Sequence, residues 1–168
     1  MMRKAVFLLL VVITALLNQQ CVKKIDYDQK EQELIRKFLE TNNITVEPTE
    51  SGLYYIEDTL GTGPQPVIND TVRINYVAYR LDGLIVDTNI ESIAKEHQIW
   101  REDGYYKPFS FVLGTDQIIK GVNEGVGYMK EGGVATLVMP SRLAYNDYQP
   151  LAFYVKLLEV KHDTSTVK

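Results

Sequence analysis

The side chains in this sequence that could do chemistry are mostly aromatic. Its 168 residues include 11 Tyr, 5 Phe and one Trp, against a single Cys and two His. One cysteine, Cys21, excludes an intramolecular disulfide and any cysteine-based zinc cluster. His97 and His162 lie far apart, which argues against a histidine metal site, and neither forms a triad-like motif with Ser110 or Ser141. No metal and no cofactor is expected. A site must then be built from rings, carboxylates, hydroxyls and backbone amides. Such residues follow one another as Tyr76, Asp87, Phe109, Phe111, Ile118-Ile119, Tyr145 and Phe153. Taken singly, Tyr76, Phe109 and Phe153 read as core aromatics and Asp87 as a solvated turn residue. Only their joint arrangement points to a site.

The elements that must position these residues are readable from periodicity. Thr71 to Arg80 alternates, with Val72, Ile74, Tyr76 and Ala78 on one face and Arg73, Asn75, Val77 and Tyr79 on the other. Asp82-Gly83 is a hairpin turn into Leu84-Ile85-Val86-Asp87. Residues 88–107 are polar and mixed, carry His97, Trp100, Tyr105 and Tyr106, and read as a long insertion with one short helix. Phe109 to Leu113 is a strand, and a short helix follows near Ile118 to Tyr128. Val134 to Met139 is a strand stopped by Pro140, Ser141 to Tyr145 a tight turn, and Phe153 to Lys161 the last strand. Upstream, Leu53 to Ile56 is a strand. Residues 60–66, LGTGPQP, form a loop without phosphate-loop spacing. Five or six strands joined mostly by hairpins, with one late helix, predict an α+β fold: a twisted antiparallel sheet wrapped on one short helix.

The N-terminal region differs in kind. Arg3 and Lys4 precede an apolar run from Ala5 to Leu17. As a helix that run rises about 20 Å, short of a hydrocarbon core of roughly 30 Å, so residues 1–20 read as a secretory signal peptide or a short membrane anchor. The sole cysteine follows directly. The arrangement resembles a bacterial lipoprotein signal, with Gln20 in place of the small residue usual before the cysteine. That resemblance implies a lipid on Cys21 and attachment to a membrane in a bacterial cell envelope, facing the periplasm. Residues 21–50 form an N-terminal stem or linker with an amphipathic helix over 26–41, where Leu34, Ile35, Phe38 and Leu39 recur at helical spacing. This helix either packs on the main domain or stands off as a stalk. The main domain spans 51–161 and a polar tail 162–168.

Composition bounds the function. With 45 % hydrophobic and 24 % charged residues the chain is globular and long enough to bury a core. Eighteen basic and 22 acidic residues give a net charge of −4. Without residues 1–20, which carry Arg3, Lys4 and no acid, the charge is −6. Nucleic acid is therefore not an expected partner.

Three segments resemble the FK506-binding family of peptidyl-prolyl isomerases over about residues 53–161. The first runs from Gly61-Thr62-Gly63-Pro64 through Asn69–Tyr76 to Asp82-Gly83 and Val86-Asp87. The second contains Pro108–Gly114, Gln117–Gly121 and Asn123–Val126, then continues to Met139-Pro140 and Leu143-Ala144-Tyr145. The third is Leu151–Leu158. The resemblance implies that Tyr76, Phe109, Ile118, Ile119 and Phe153 line a proline pocket. It also implies that the Ile119 N–H and the Tyr145 hydroxyl hold carbonyls, and that Asp87 accepts from a pocket tyrosine. The resemblance further implies Val86, Phe111 and Val122 as pocket positions. Val122 stands where the family usually has Trp, Val86 where a Phe is expected, and the loop 146–150 is short. Trp100, Tyr105 or Tyr106 would then cover the pocket in compensation. The implied activity is cis–trans isomerisation of X–Pro bonds in proline-containing polypeptide clients, assisting the folding of exported proteins. The alternative is a catalytically weak or inactive binding or chaperone lipoprotein on the same fold.

Overall fold

A computed structural model describes residues 26–163. The expected signal segment, Cys21 and residues 164–168 lie outside the described residues. Six strands form one antiparallel sheet: β1 (Tyr54–Thr59), β2 (Thr71–Arg80), β3 (Ile85–Thr88), β4 (Phe109–Val112), β5 (Val134–Met139) and β6 (Leu151–Lys161). Their order is β1-β5-β6-β2-β3. β6 begins two residues earlier than its periodicity suggests, because Leu151 and Ala152 pair with Arg80 and Tyr79. The outer edge of β2 is shared: Thr71–Ile74 pair with β4, and Val77–Tyr79 pair with β3. The insertion leaves the sheet between these two strands.

One face of the sheet carries the main core, where Val72, Ile74, Leu137, Val155 and Leu157 pack with Val122 and Val126 of helix α3 (Lys120–Tyr128). α3 begins at Lys120 rather than Ile118, since Ile119 keeps an extended backbone with ψ 146°. Bare helix backbone sits close to β5: a Cβ on Gly125 would lie 2.5 Å from the Leu137 methyl carbons. Leu137 is fully buried and has no room to withdraw. Gly125→Ala should therefore lower stability by about 1–3 kcal/mol through overpacking, although alanine favours a helix by up to about 1 kcal/mol. A denaturant melt showing no loss would refute the close approach.

The opposite face is covered by α1 (Tyr27–Thr41). Ile35, Phe38 and Leu39 lie on Val138 and Ala152, a cross-strand pair, and Phe38 meets Tyr79 at 6.3 Å between ring centroids. Of the two arrangements expected for this helix, packing on the main domain is the one observed. Asp26 caps it by accepting from the Gln29 N–H at 3.2 Å. Its buried Glu31 accepts from the Ser141 N–H, and from the Ser141 hydroxyl at 3.2 Å, at the start of the 3-10 turn Ser141–Leu143. Tyr27 also meets Tyr148 at 4.9 Å. α1 therefore braces the segment that carries Tyr145. No helix among the described residues is long and apolar enough to cross a membrane.

Candidate functional site

The pairing register creates a cavity over the end of the core. Phe153 on β6 stands opposite Ala78 on β2. A methyl group leaves space there, and Tyr76, one step along the same face, fills it with its ring centroid 5.8 Å from that of Phe153. Phe109 opens β4 and rests on Phe111 at 6.0 Å. The turn before α3 supplies Ile118 and Ile119. Gln117 Oε1 fastens that turn by accepting from the Val112 N–H at 2.9 Å, and Asn123 Oδ1 accepts from the Gly114 N–H at 2.9 Å. Tyr145 reaches in from beyond the 3-10 turn.

The resulting cavity of about 390 Å³ brings together Tyr76, Asp87, Phe109, Ile118, Ile119, Tyr145 and Phe153, with Asp116 and Gln117 added. The last two are not among the expected pocket residues, although Gln117 opens the segment Gln117–Gly121 that carries the resemblance. The polar groups of the lining are Asp87, Asp116, Gln117 and the hydroxyls of Tyr76 and Tyr145. Tyr76 donates its hydroxyl to Asp87 Oδ2 at 2.8 Å, and the Thr88 N–H donates to Asp87 Oδ1 at 2.9 Å. Burial pushes the Tyr76 hydroxyl well above the ordinary tyrosine range, and the bond to Asp87, its charge and Tyr145 push it further. Burial also raises the Tyr145 hydroxyl, with the charges of Asp87 and Asp147 adding to the shift. Both hydroxyls remain donors through neutral pH.

Three expected pocket residues lie elsewhere. Phe111, 2 % exposed, and Val122, 0 % exposed, are in the core beneath the cavity rather than in its wall. Phe111 shares the face of Phe109 but sits farther along β4, opposite Val72, and Val122 is on the sheet-facing side of α3. Val86 is not in the lining of this cavity: Asp87 pairs with Ala78 and Ile85 with Tyr79, which leaves Val86 unpaired at a β-bulge and exposed. The insertion aromatics do not cover the cavity either. Trp100, Tyr105 and Tyr106 line a second cavity of about 510 Å³ that shares Tyr76, Asp87 and Phe109 with the first. Around this second cavity the insertion is ordered. α2 (Glu91–Glu96) places Lys95 Nζ 5.6 Å from the Trp100 ring, and Trp100 stacks with Tyr106 at 6.4 Å and 12°.

Asn89 is the residue that sequence reasoning passed over. Its side chain stands where the sheet edge is split. Oδ1 accepts from the Tyr76 N–H at 2.8 Å, while Nδ2 donates to the carbonyls of Ile74 at 3.0 Å and Lys107 at 2.9 Å. One side-chain amide thus replaces the missing stretch of strand between β3 and β4. Among the described residues, no group of three or more His, Cys, Asp or Glu is placed to hold a metal ion.

Residues 63–158, which contain both cavities, match the family described as FKBP-type peptidyl-prolyl cis-trans isomerase. Among curated relatives, the probable FKBP-type peptidyl-prolyl cis-trans isomerase FkpA of Neisseria meningitidis serogroup B is 34 % identical over 124 residues. The match covers 68 % of this chain and 40 % of the relative. The chloroplastic peptidyl-prolyl cis-trans isomerase FKBP16-3 of Arabidopsis thaliana is 36 % identical over 106 residues, 63 % of this chain and 42 % of the relative. The chain spans less than half the length of these relatives. Among solved structures, FkpA from Escherichia coli superimposes with a TM-score of 0.62 at 32 % identity, covering 81 % of this chain and 60 % of that one. A peptidyl-prolyl cis-trans isomerase from Pseudomonas syringae gives 0.58 at 27 % identity, covering 80 % and 96 %.

Proposed function

Since the chain belongs to the FKBP-type peptidyl-prolyl cis-trans isomerase family, we propose that its aromatic cavity accelerates rotation about X–Pro peptide bonds in polypeptide clients. The observation that carries this reading is the convergence of Tyr76, Phe109, Ile118, Ile119 and Phe153 on one cavity with a mainly apolar lining. Amide resonance sets a rotation barrier of about 18–20 kcal/mol. The planar amide is more charge-separated than the twisted one, so an apolar enclosure disfavours the ground state relative to the transition state. Catalysis is then differential binding, without nucleophile, proton transfer or metal. In this mechanism the proline ring enters between Tyr76, Phe109 and Phe153, the Ile119 N–H holds one carbonyl, and the Tyr145 hydroxyl donates to another. The Tyr76–Asp87 hydrogen bond fixes the ring that forms the wall.

The test is an isomerisation assay on short X–Pro peptides with several residues before proline. A rate equal to the uncatalysed rate for every peptide would exclude the enzyme. Because both hydroxyls are raised above the ordinary tyrosine value near 10, they keep their protons as pH rises toward that value. The catalysed rate should be flat between about pH 6 and 9. A bell-shaped profile in that range would indicate acid–base chemistry and contradict the mechanism.

A second reading, a binding module with little catalysis, is favoured by one observation. Val122 lies wholly in the core, so α3 sends no side chain of its own to the cavity floor. Under that reading peptides bind without acceleration, and the same assay combined with a dissociation constant separates the two.

The proposal extends to location. A basic start, a short apolar run and a sole cysteine support a lipid on Cys21 and a periplasm-facing place in a bacterial envelope. Exported proteins would be the clients, since slow proline isomerisation limits folding. A mass spectrum of the native protein showing unmodified Cys21 would dismiss the anchor.

A further inference from the structure

We propose that the second cavity is a subsite for an aromatic side chain of the client, beyond the X–Pro dipeptide itself. This makes the insertion at residues 88–107 a selectivity device of this chain. The inference rests on the proline-binding reading of the first cavity. Its basis is continuity: Tyr76, Asp87 and Phe109 form a wall common to both cavities. A client chain with proline on one side of that wall reaches the other within about two or three extended residues, at roughly 3.5 Å each.

The walls indicate what fits. Trp100 is 42 % exposed, Tyr105 61 % and Val86 40 %, so three large side chains face water at one place. Tyr and Trp offer contact area with few rotatable bonds, which makes them efficient anchors for another ring. The site is also held in shape before any client arrives. The Tyr106 hydroxyl accepts from the Arg101 N–H at 2.8 Å, Lys95 pairs with Glu91 at 2.8 Å beneath Trp100, and Asn89 ties Lys107 at the end of the insertion to β2. A preformed wall avoids the ordering cost that a flexible loop would incur on binding.

The experiment uses the full chain and a parent peptide, alanine-based with one X–Pro bond. A Phe is moved through the second and third positions on each side of the proline. At one of these positions Phe should raise kcat/KM about tenfold over Ala, by burying a ring against Trp100 and Tyr105. In Trp100→Ala and, separately, in the more exposed Tyr105→Ala, the Phe-to-Ala ratio should fall to near one. A wild-type ratio near one at every position overturns the proposal, as does a raised ratio that survives both substitutions. If the parent peptide binds but rotates at the uncatalysed rate, the isomerase reading fails alone, and the same ratios are taken from dissociation constants. Absence of binding by every peptide overturns both the pocket reading and the subsite.

Discussion

Phe109→Ala is expected to lower kcat/KM on an X–Pro peptide by about 30- to 100-fold while the domain stays folded. Phe109 and Tyr76 are the two aromatics that wall both cavities, and Phe109 is the first residue of its strand, paired with Ile74 at the sheet edge. Burying a ligand group against a full aromatic side chain contributes about 1.5–3 kcal/mol. Each 1.36 kcal/mol of lost transition-state binding is a factor of about ten in rate. The ring is only partly buried, so its removal should cost less stability than the 3–5 kcal/mol typical of a core Phe→Ala change. Phe153, 4 % exposed, would incur that full cost and confuse lost folding with lost catalysis. Steady-state kinetics alongside a thermal melt give the result directly. A fall of less than about threefold in a folded variant would remove the cavity from consideration as the site.

Asn89→Ala should produce a large loss of stability for a change at a single polar side chain. It leaves the Tyr76 N–H and the Ile74 carbonyl without their partner at the split sheet edge, and frees Lys107 at the end of the insertion. Asn89 is 4 % exposed, so water does not readily replace it. A buried polar group left unpaired costs about 1–3 kcal/mol, and two such groups sharing a site do not add fully. A loss of about 3 kcal/mol is expected, against a total stability of roughly 5–15 kcal/mol. For a domain of this size that corresponds to a melting temperature lowered by about 10 °C. Asn89→Asp keeps an acceptor for Tyr76 but loses both donors and buries a charge, so it should be no better. A melting temperature within about 2 °C of the parent in both variants would show that the sheet edge closes without Asn89.

Much of this architecture is legible in the sequence, for identifiable reasons. β2 alternates in residue type over Val72–Ile74, and its core face, Val72, Ile74 and Ala78, can be read from that alternation, while the burial of Val77 on the other face cannot. The apolar stripe of α1 is equally plain, but its partner is not. The stripe needs the face of β5 and β6 that shows Val138 and Ala152, and only the folded sheet exposes that pair. Val86 illustrates another limit. It sits unpaired at a one-residue bulge, and nothing in Leu84-Ile85-Val86-Asp87 announces that bulge. The family resemblance implies Val122 at the pocket, yet helix phase turns it into the core. Asn89 was invisible for a different reason: an asparagine opening a polar insertion looks like loop, and its role exists only because the sheet edge is interrupted there.

The ring contact between Tyr27 and Tyr148 fixes where the chain enters the domain. Tyr148 lies three residues beyond Tyr145, so the entry point is one short loop from the rim of the cavity. From Cys21 to Asp26 the chain has five residues, a leash of at most about 18 Å. With the proposed lipid on Cys21, that leash would confine the cavity to a thin layer along the bilayer. Its working concentration would then be set by membrane area rather than by compartment volume. Such an enzyme would meet chains as they leave the membrane and would be nearly absent from the fluid beyond.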